Sequence, residues 1–323
     1  MIDFQGLHYL AGAVPVVLAG FGVPLGISAA AKGLSEGLLR QQSSFQENFN
    51  TLIIGTLMIE SSLALAFIAA SVTLFAPPYI LTLPVVLAEL GGALAIGVSA
   101  FLVAFSIGAA VKASCISVSR QPFHIHSIRI FMFVLMTLIE TPVFFAFLIW
   151  LFIRTKVDDI QTLGEGIKLC AAGVAMAVGS IGPSIGQKIF VRKACLAVGC
   201  NKEAYGGLFT LSMITEAMIE TPVLLTFIVS SLMIVRDVSP IIVDSNAIVF
   251  FAVACAMGLG TLGASIGIGI IGSKATRNVA LNSEAYGSIL GTTFIAQAFA
   301  ETSSLFAFLI ALLIVLKTTV WKV

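Results

Sequence analysis

Long apolar runs alternate with short polar breaks along the whole chain. Eight runs, at 8–39, 48–76, 80–118, 126–153, 164–198, 204–235, 246–279 and 285–319, are each longer than the ~20 residues a helix needs to cross hydrocarbon. The pattern also repeats with a long period. Glu60, Glu140, Glu220 and Glu301 stand in the middle of apolar runs, in the strings MIESS, LIETP, MIETP and FAETS, at spacings of 80, 80 and 81 residues. Twenty residues before each lies a polar break, at Arg40, Arg120, Cys200 and Leu281. A fixed period of this kind marks tandem structural units. Each unit reads as a helix, a short polar loop and a second helix that carries one carboxylate. The expected fold class is an all-α membrane protein of eight transmembrane helices, arranged as four tandem hairpins that assemble into a ring. The hairpins occupy 1–78, 79–160, 161–240 and 241–323.

Between hairpins stand Pro77-Pro78, the charged run RTKVDD at 154–159 and RDVSP at 236–240, all helix-breaking or strongly polar. None of the second helices is expected to break at its acid. The N-terminal MIDFQGLHYL has an acid and no basic run, so the first helix is expected to be retained rather than cleaved as a leader. Composition agrees with the membrane reading: of 323 residues, 59% are apolar and 10% charged. The mean hydropathy is +1.08. A net charge of +1 gives no long-range pull on nucleic acid. Eleven of the seventeen Lys and Arg lie in the hairpin loops and adjoining helix ends, which by the positive-inside rule puts the loops in the cytoplasm. The five cysteines lack metal-ligand spacing and read as small apolar residues.

The first helix of each hairpin is rich in small residues. One aligned column reads Gly26, Ser106, Gly186 and Gly267. Small residues let backbones approach closely in lipid. Repeated units with a small inner face and a Phe-rich outer face favour a closed ring with the first helices inside.

An ionised carboxylate in mid-bilayer costs at least ~2.5 kcal/mol, so four at one repeat position point to reversible ion binding. Away from water a carboxyl favours its protonated form. Each glutamate is followed by a hydroxyl residue, Ser61, Thr141, Thr221 or Thr302, which offers a proton donor or an oxygen ligand for a hard cation. Back-bonding to the preceding turn is the structural alternative for each. In the third hairpin Glu216 lies one turn before Glu220, where the other copies have Thr56, Met136 and Gln297. It either shares a proton with Glu220 or makes a packing hydrogen bond, with Gln187 as one partner.

A small-residue helix, a loop with Arg-Gln-Pro and a second helix with a carboxylate twenty residues after the Arg resemble the c subunit, or proteolipid, of rotary F-type ATP synthases. The resemblance spans the chain as four fused hairpins. Arg120-Gln121-Pro122 matches the loop motif and Arg40-Gln41 its first two positions, whereas Cys200-Asn201-Lys202 and Leu281-Asn282-Ser283 depart from it. The resemblance implies a rotor ring whose carboxylates exchange an ion beside subunit a, while the loops dock the central-stalk subunits gamma and epsilon. Sodium-binding members of the family add a glutamine on the first helix. That column here reads Ile27, Ile107, Gln187 and Ile268, and Pro142 and Pro222 stand where a further hydroxyl is usual. The reading is therefore protons, with Na⁺ as the alternative, above all at Glu220 with Gln187 and Thr221. No cofactor is expected, and with no P-loop or activated nucleophile the chain reads as non-catalytic. Expected partners are subunit a, the central stalk, membrane lipid and further copies of the chain, three in the ring, in a bacterial inner or equivalent energy-coupling membrane. Competing readings are a V- or A-type proteolipid, an eight-helix secondary transporter and a membrane scaffold.

Overall fold

A computed structural model describes residues 4–78, 80–236 and 240–320. Among them all regular structure is helical. The helices are α1 (Phe4–Leu38), α2 (Phe45–Phe75), α3 (Leu83–Arg120), α4 (Ile125–Ile139), α5 (Thr141–Lys156), α6 (Leu163–Gly179), α7 (Ile181–Val198), α8 (Tyr205–Val235), α9 (Pro240–Leu281) and α10 (Tyr286–Val320). With α4 and α5 as one span, and α6 and α7 as another, the chain has eight segments long and apolar enough to cross a bilayer. It is an integral membrane protein. Asp237, Val238 and Ser239 of the third expected linker lie outside the described residues, as do Met1 to Asp3 of the N-terminal segment.

Local sequence accounts for where these helices start and stop. Pro84 opens the first turn of α3, where a missing N–H costs nothing. Thr162 and Glu165 form a capping box at the start of α6, so two otherwise unpaired backbone donors are satisfied. A short 3₁₀ turn precedes the second helix in three hairpins, at Gln42–Ser44, Pro122–His124 and Ser283–Ala285.

Two breaks inside spans depart from the sequence expectation of unbroken helices. The first falls at Glu140, between α4 and α5, and the second at Ser180, between α6 and α7. Each has a proline two or three residues further on, Pro142 or Pro183. Proline lacks the N–H that would bond the carbonyl four residues back, and its ring crowds that carbonyl. Leu138 and Gly179 are the residues so affected.

The first helices stand side by side in the order α1, α3, α6–α7, α9, and the second helices form an outer row against them. Glycine makes the inner row tight. A Cβ on Gly22 would lie 2.5 Å from the Cα of Phe101, and one on Gly33 at the same distance from the Cα of Lys112. Gly91 packs on Cys170, Gly108 on Gly26 and Gly269 on Gly186, again backbone against backbone. In the small-residue column, Gly26 faces the carbonyl of Ala104, the Ser106 hydroxyl donates to the carbonyl of Ser184 at 2.8 Å, and Gly186 faces the carbonyl of Ser265. Among the described residues, a Cβ on Gly267, on the last helix of the row, would have only Ala300 near it, at 3.9 Å.

The outer row is held at its loop end by polar contacts. Arg129 on α4 pairs with the carboxylate of Glu47 on α2 and donates to Thr51 at 3.0 Å. Asn48 donates to Ser119 at 2.7 Å, joining α2 to α3. At the opposite end, His8 Nδ1 and Glu89 Oε2 lie 2.7 Å apart, almost wholly buried between α1 and α3.

Candidate functional site

The four repeat glutamates sit at corresponding depths on the outer-row helices, but their surroundings differ. Glu60 on α2 is exposed, Glu140 at the α4–α5 joint is buried, and Glu220 on α8 and Glu301 on α10 are half-buried. The difference follows from position in the row. Glu140 and Glu220 each have a preceding hairpin packed beside them, whereas Glu60 stands at its edge.

The hydroxyl residues do not serve their own glutamates. Ser61 Oγ donates to Glu140 Oε1, from the first hairpin to the second. Thr141, next along the row, lies beside Glu220 of the third hairpin, its hydroxyl donating to the carbonyl of Leu138 at 3.0 Å. Among the described residues Thr221 makes only the back-bond to Ala217 at 3.1 Å, and Thr302 only that to Phe299 at 2.7 Å. The set expected around Glu220 therefore changes in one member, with Thr141 in the place given to Thr221. The reason is geometric: residues i and i+1 on a helix point about 100° apart, so the hydroxyl after a glutamate faces away from it, and at Ser61 it meets the next hairpin.

Gln187 is on α7, fully buried, with its Nε2 3.4 Å from Glu220 Oε1 and 3.4 Å from the carbonyl of Leu138. That carbonyl is the one freed by Pro142, and Thr141 Oγ1 also donates to it at 3.0 Å. Four oxygen-bearing groups thus meet between the second and third hairpins: the Glu220 carboxyl, the Thr141 hydroxyl, the Leu138 carbonyl and the Gln187 amide. The sequence reading missed Leu138, although Pro142 four residues later is the signal that would have found it. At the boundary between the first and second hairpins, Ser61 and Glu140 meet without a glutamine, since Ile107 fills that column as a fully buried apolar residue.

Glu216 is fully buried beside Gln187 and Glu220, and neither carboxyl oxygen has a geometric hydrogen-bond partner among the described residues. Gln187 Oε1 is likewise unpartnered. These unpartnered oxygens are all acceptors unless a proton or cation lies between them. In the fourth hairpin Gln297 replaces Glu216 and donates to Thr215 at 3.0 Å.

At the loop end, Arg40 and Gln41 lie just past α1, and Arg120 closes α3. Gln41 holds the loop by accepting from Ser44 Oγ at 2.7 Å and donating to Ser43 at 3.3 Å. Gln121 follows as a cap and Pro122 opens the 3₁₀ turn, leaving Phe123 fully exposed at the tip. Arg120 donates to Cys200 Sγ at 3.5 Å. The loops of the second and third hairpins thereby line one shared hollow.

Comparison with known proteins bears on this arrangement. The family model described as the ATP synthase C subunit matches residues 90–153, 170–233 and 251–314, together more than half of the chain. The ATP synthase c subunit of Dehalococcoides mccartyi is 38% identical over 72 residues, which cover 22% of this chain and 95% of that protein. That of Clostridium novyi is 41% identical over 73 residues, 21% of this chain and 87% of the relative. That of Chloroflexus aurantiacus is 41% identical over 63 residues, 20% of this chain and 83% of the relative. Each relative has the length of about one hairpin. The chain belongs to the ATP synthase C-subunit family, with tandem hairpins of that kind fused in one polypeptide.

Proposed function

We propose that the chain is a rotor-ring subunit of a rotary ATP synthase. In this reading each mid-membrane glutamate, Glu60, Glu140, Glu220 and Glu301, takes up and releases one ion as it passes subunit a. The loops around Arg40-Gln41 and Arg120-Gln121-Pro122 transmit the resulting turn to the central-stalk subunits gamma and epsilon. The chain itself makes and breaks no covalent bonds. The loops face the cytoplasm, in a bacterial inner membrane or an equivalent coupling membrane. The observation that carries the reading is the bond from Ser61 on one hairpin to Glu140 on the next. A carboxyl held across a boundary between repeated units lies at a seam of the outer row, beside which an ion-exchanging partner would pass.

The ion at Glu60, Glu140 and Glu301 is a proton, since one carboxyl and at most one hydroxyl are too few ligands for a hard cation. A second reading applies at Glu220 alone. The Leu138 carbonyl, Thr141 hydroxyl, Gln187 amide and Glu220 carboxyl make a four-oxygen set if the amide makes a half-turn, which a side-chain amide does with little change in shape. We propose Na⁺ as the cargo of that site when it is abundant.

Three copies of the chain close the ring. Glu60 of one copy then meets Thr302 of the next, repeating the contact between Glu140 and Ser61. Carbodiimide labelling, which needs a protonated and accessible carboxyl, tests the whole reading when each glutamate is followed by mass spectrometry across pH with and without Na⁺. Labelling at all four that falls as pH rises, with Na⁺ protection confined to Glu220, is the expected result. Absence of labelling at every glutamate would make the acids structural.

A further inference from the structure

Gln187 on α7 and Glu216 on α8 are both fully buried, and the amide lies within reach of the carboxyl. The two columns they occupy read differently in every other hairpin. Where the first helix has Ile27, Ile107 or Ile268, the second has Thr56, Met136 or Gln297. An amide facing an acid at these positions therefore occurs once in the chain.

As the side chains stand, this pair is mismatched. Gln187 Nε2 contacts Glu220 Oε1 and the Leu138 carbonyl at 3.4 Å each, beyond the ~3.2 Å usual for such bonds. Gln187 Oε1 and both carboxyl oxygens of Glu216 have no geometric hydrogen-bond partner among the described residues. Buried acceptors left facing one another forfeit the hydrogen bonds they could make. A half-turn of the amide exchanges its nitrogen and oxygen with little change in shape. Nε2 then donates to Glu216, and Oε1 comes to the place beside Glu220. There it accepts the proton of an acid-form Glu220 or ligates a cation held by that carboxyl. The Leu138 carbonyl keeps its donor in either orientation, since Thr141 reaches it at 3.0 Å.

We propose that Glu216 is a positioning residue for ion binding at Glu220: by accepting from Gln187 Nε2 it holds the amide with its oxygen toward the bound ion. When Glu220 is empty and ionised, the amide turns back and points its N–H₂ at that carboxylate. Glu216 gains a donor only in the loaded orientation and so favours the loaded state. The inference rests on Glu220 as an ion-holding carboxyl, as in the proposed function. The titratable groups facing Glu216 are Glu220 on its own helix and Cys195 on α7. No cation pairs with it among the described residues.

Carbodiimide labelling of the full chain, read at Glu220 by mass spectrometry, tests the inference with E216M, E216Q, Q187I and Q187I/E216M. Methionine is the residue of the second hairpin at this position, and it neither donates nor accepts there. Glutamine matches the Gln187 amide in either orientation, so it also removes the bias. In Na⁺-free buffer, at a pH where Glu220 is mostly ionised, both single variants at 216 are expected to label up to roughly fivefold less than wild type, the worth of one hydrogen bond. The Na⁺ concentration that half-protects Glu220 should rise by the same factor. Labelling of Glu140 stays as it was. With Q187I already in place, E216M adds nothing, which separates action through the amide from a direct effect of one carboxyl on the other. Wild-type labelling in either variant at 216, or an undiminished effect of E216M beside Q187I, would overturn the proposal. A role as mere filler predicts the first of these results.

Solid-state NMR of the protein with ¹⁵N-glutamine and ¹³C-glutamate, assigned with Q187I, reads the amide directly and needs no labelling. At acid pH, Gln187 Nε2 is expected nearer the carboxyl carbon of Glu216 than that of Glu220, and the reverse order would overturn the proposal. Lack of Na⁺ protection in the wild type would end the sodium reading alone, because the acid-pH spectrum still decides the role of Glu216.

Discussion

Ser61 Oγ donates to the carboxyl of Glu140, which lies 79 residues further along the chain and in a different hairpin. The hydroxyl is thus adjacent in sequence to one glutamate and bonded in space to another. This relationship separates the chemistry of the two acids. Ser61→Ala removes a donor worth about 1 kcal/mol to the ionised form of Glu140. Carbodiimide labelling of Glu140 is expected to rise by up to roughly fivefold at a pH where it is mostly ionised, with labelling of Glu60 unchanged. A change confined to Glu60 would show that the hydroxyl serves its own helix.

The same logic applied between copies gives a prediction that depends on assembly. Thr302→Ala is expected to alter labelling of Glu60 in the assembled protein and to have no effect on it once the assembly is dispersed in harsh detergent. An effect that persists in the dispersed chain would remove the case for a contact between copies.

Pro142 leaves the carbonyl of Leu138 to Thr141 and Gln187. Pro142→Ala returns an N–H to that carbonyl and is expected to close the break at Glu140. Amide exchange across 139–144 should slow, and any protection of Glu220 by Na⁺ should weaken. Unchanged exchange would mean that packing of α5, rather than the proline, sets the break.

Gly108 lies with its backbone against Gly26, so a side chain there has no space. Gly108→Val is expected to destabilise the detergent-solubilised protein by at least ~3 kcal/mol, at or beyond the upper end of ordinary overpacking. Gly206 on α8 has nothing within 4 Å of the point where a methyl group would stand. Gly206→Ala should therefore be neutral or stabilising by up to ~1 kcal/mol through helix propensity. Thermal unfolding followed by circular dichroism distinguishes the two.

The buried Glu216 carboxyl has unpartnered oxygens beside the unpartnered Gln187 Oε1. Glu216→Gln supplies an N–H₂ that can reach that oxygen, and a gain of about 1 kcal/mol in stability is expected. The variant should also change the pH dependence of labelling at Glu220 while leaving that at Glu140 alone. A loss of stability would show that the native carboxyl already holds a proton or cation in this place.

Much of this architecture is written along single helices. Apolar runs set the spans, the 80-residue period set the hairpins, and the Gly26, Ser106, Gly186 and Gly267 column marked the close-packed face. Relations across helices were harder to read. The spacing Glu60–Ser61 says nothing about the rotation of α2 against α5, and that rotation decides which carboxyl the hydroxyl meets. The break at Glu140 could have been foreseen from Pro142, yet the use of the freed Leu138 carbonyl depends on Gln187 arriving from another hairpin. The His8–Glu89 pair escaped for the same reason, because neither residue recurs at its repeat position.

Covalent fusion gives the unlike boundaries a fixed order. A wheel assembled from identical single hairpins has the same spoke everywhere and no landmark on its rim. Here the boundary with Gln187 and Glu216 always follows the one with Ile107, and it returns once for each length of polypeptide. An assembly of this chain is closer to a cam than to a wheel. In the proposed rotor role its resistance to turning would have a rhythm set by the gene, and a single-molecule record of rotation would carry that rhythm as dwells recurring once every four steps.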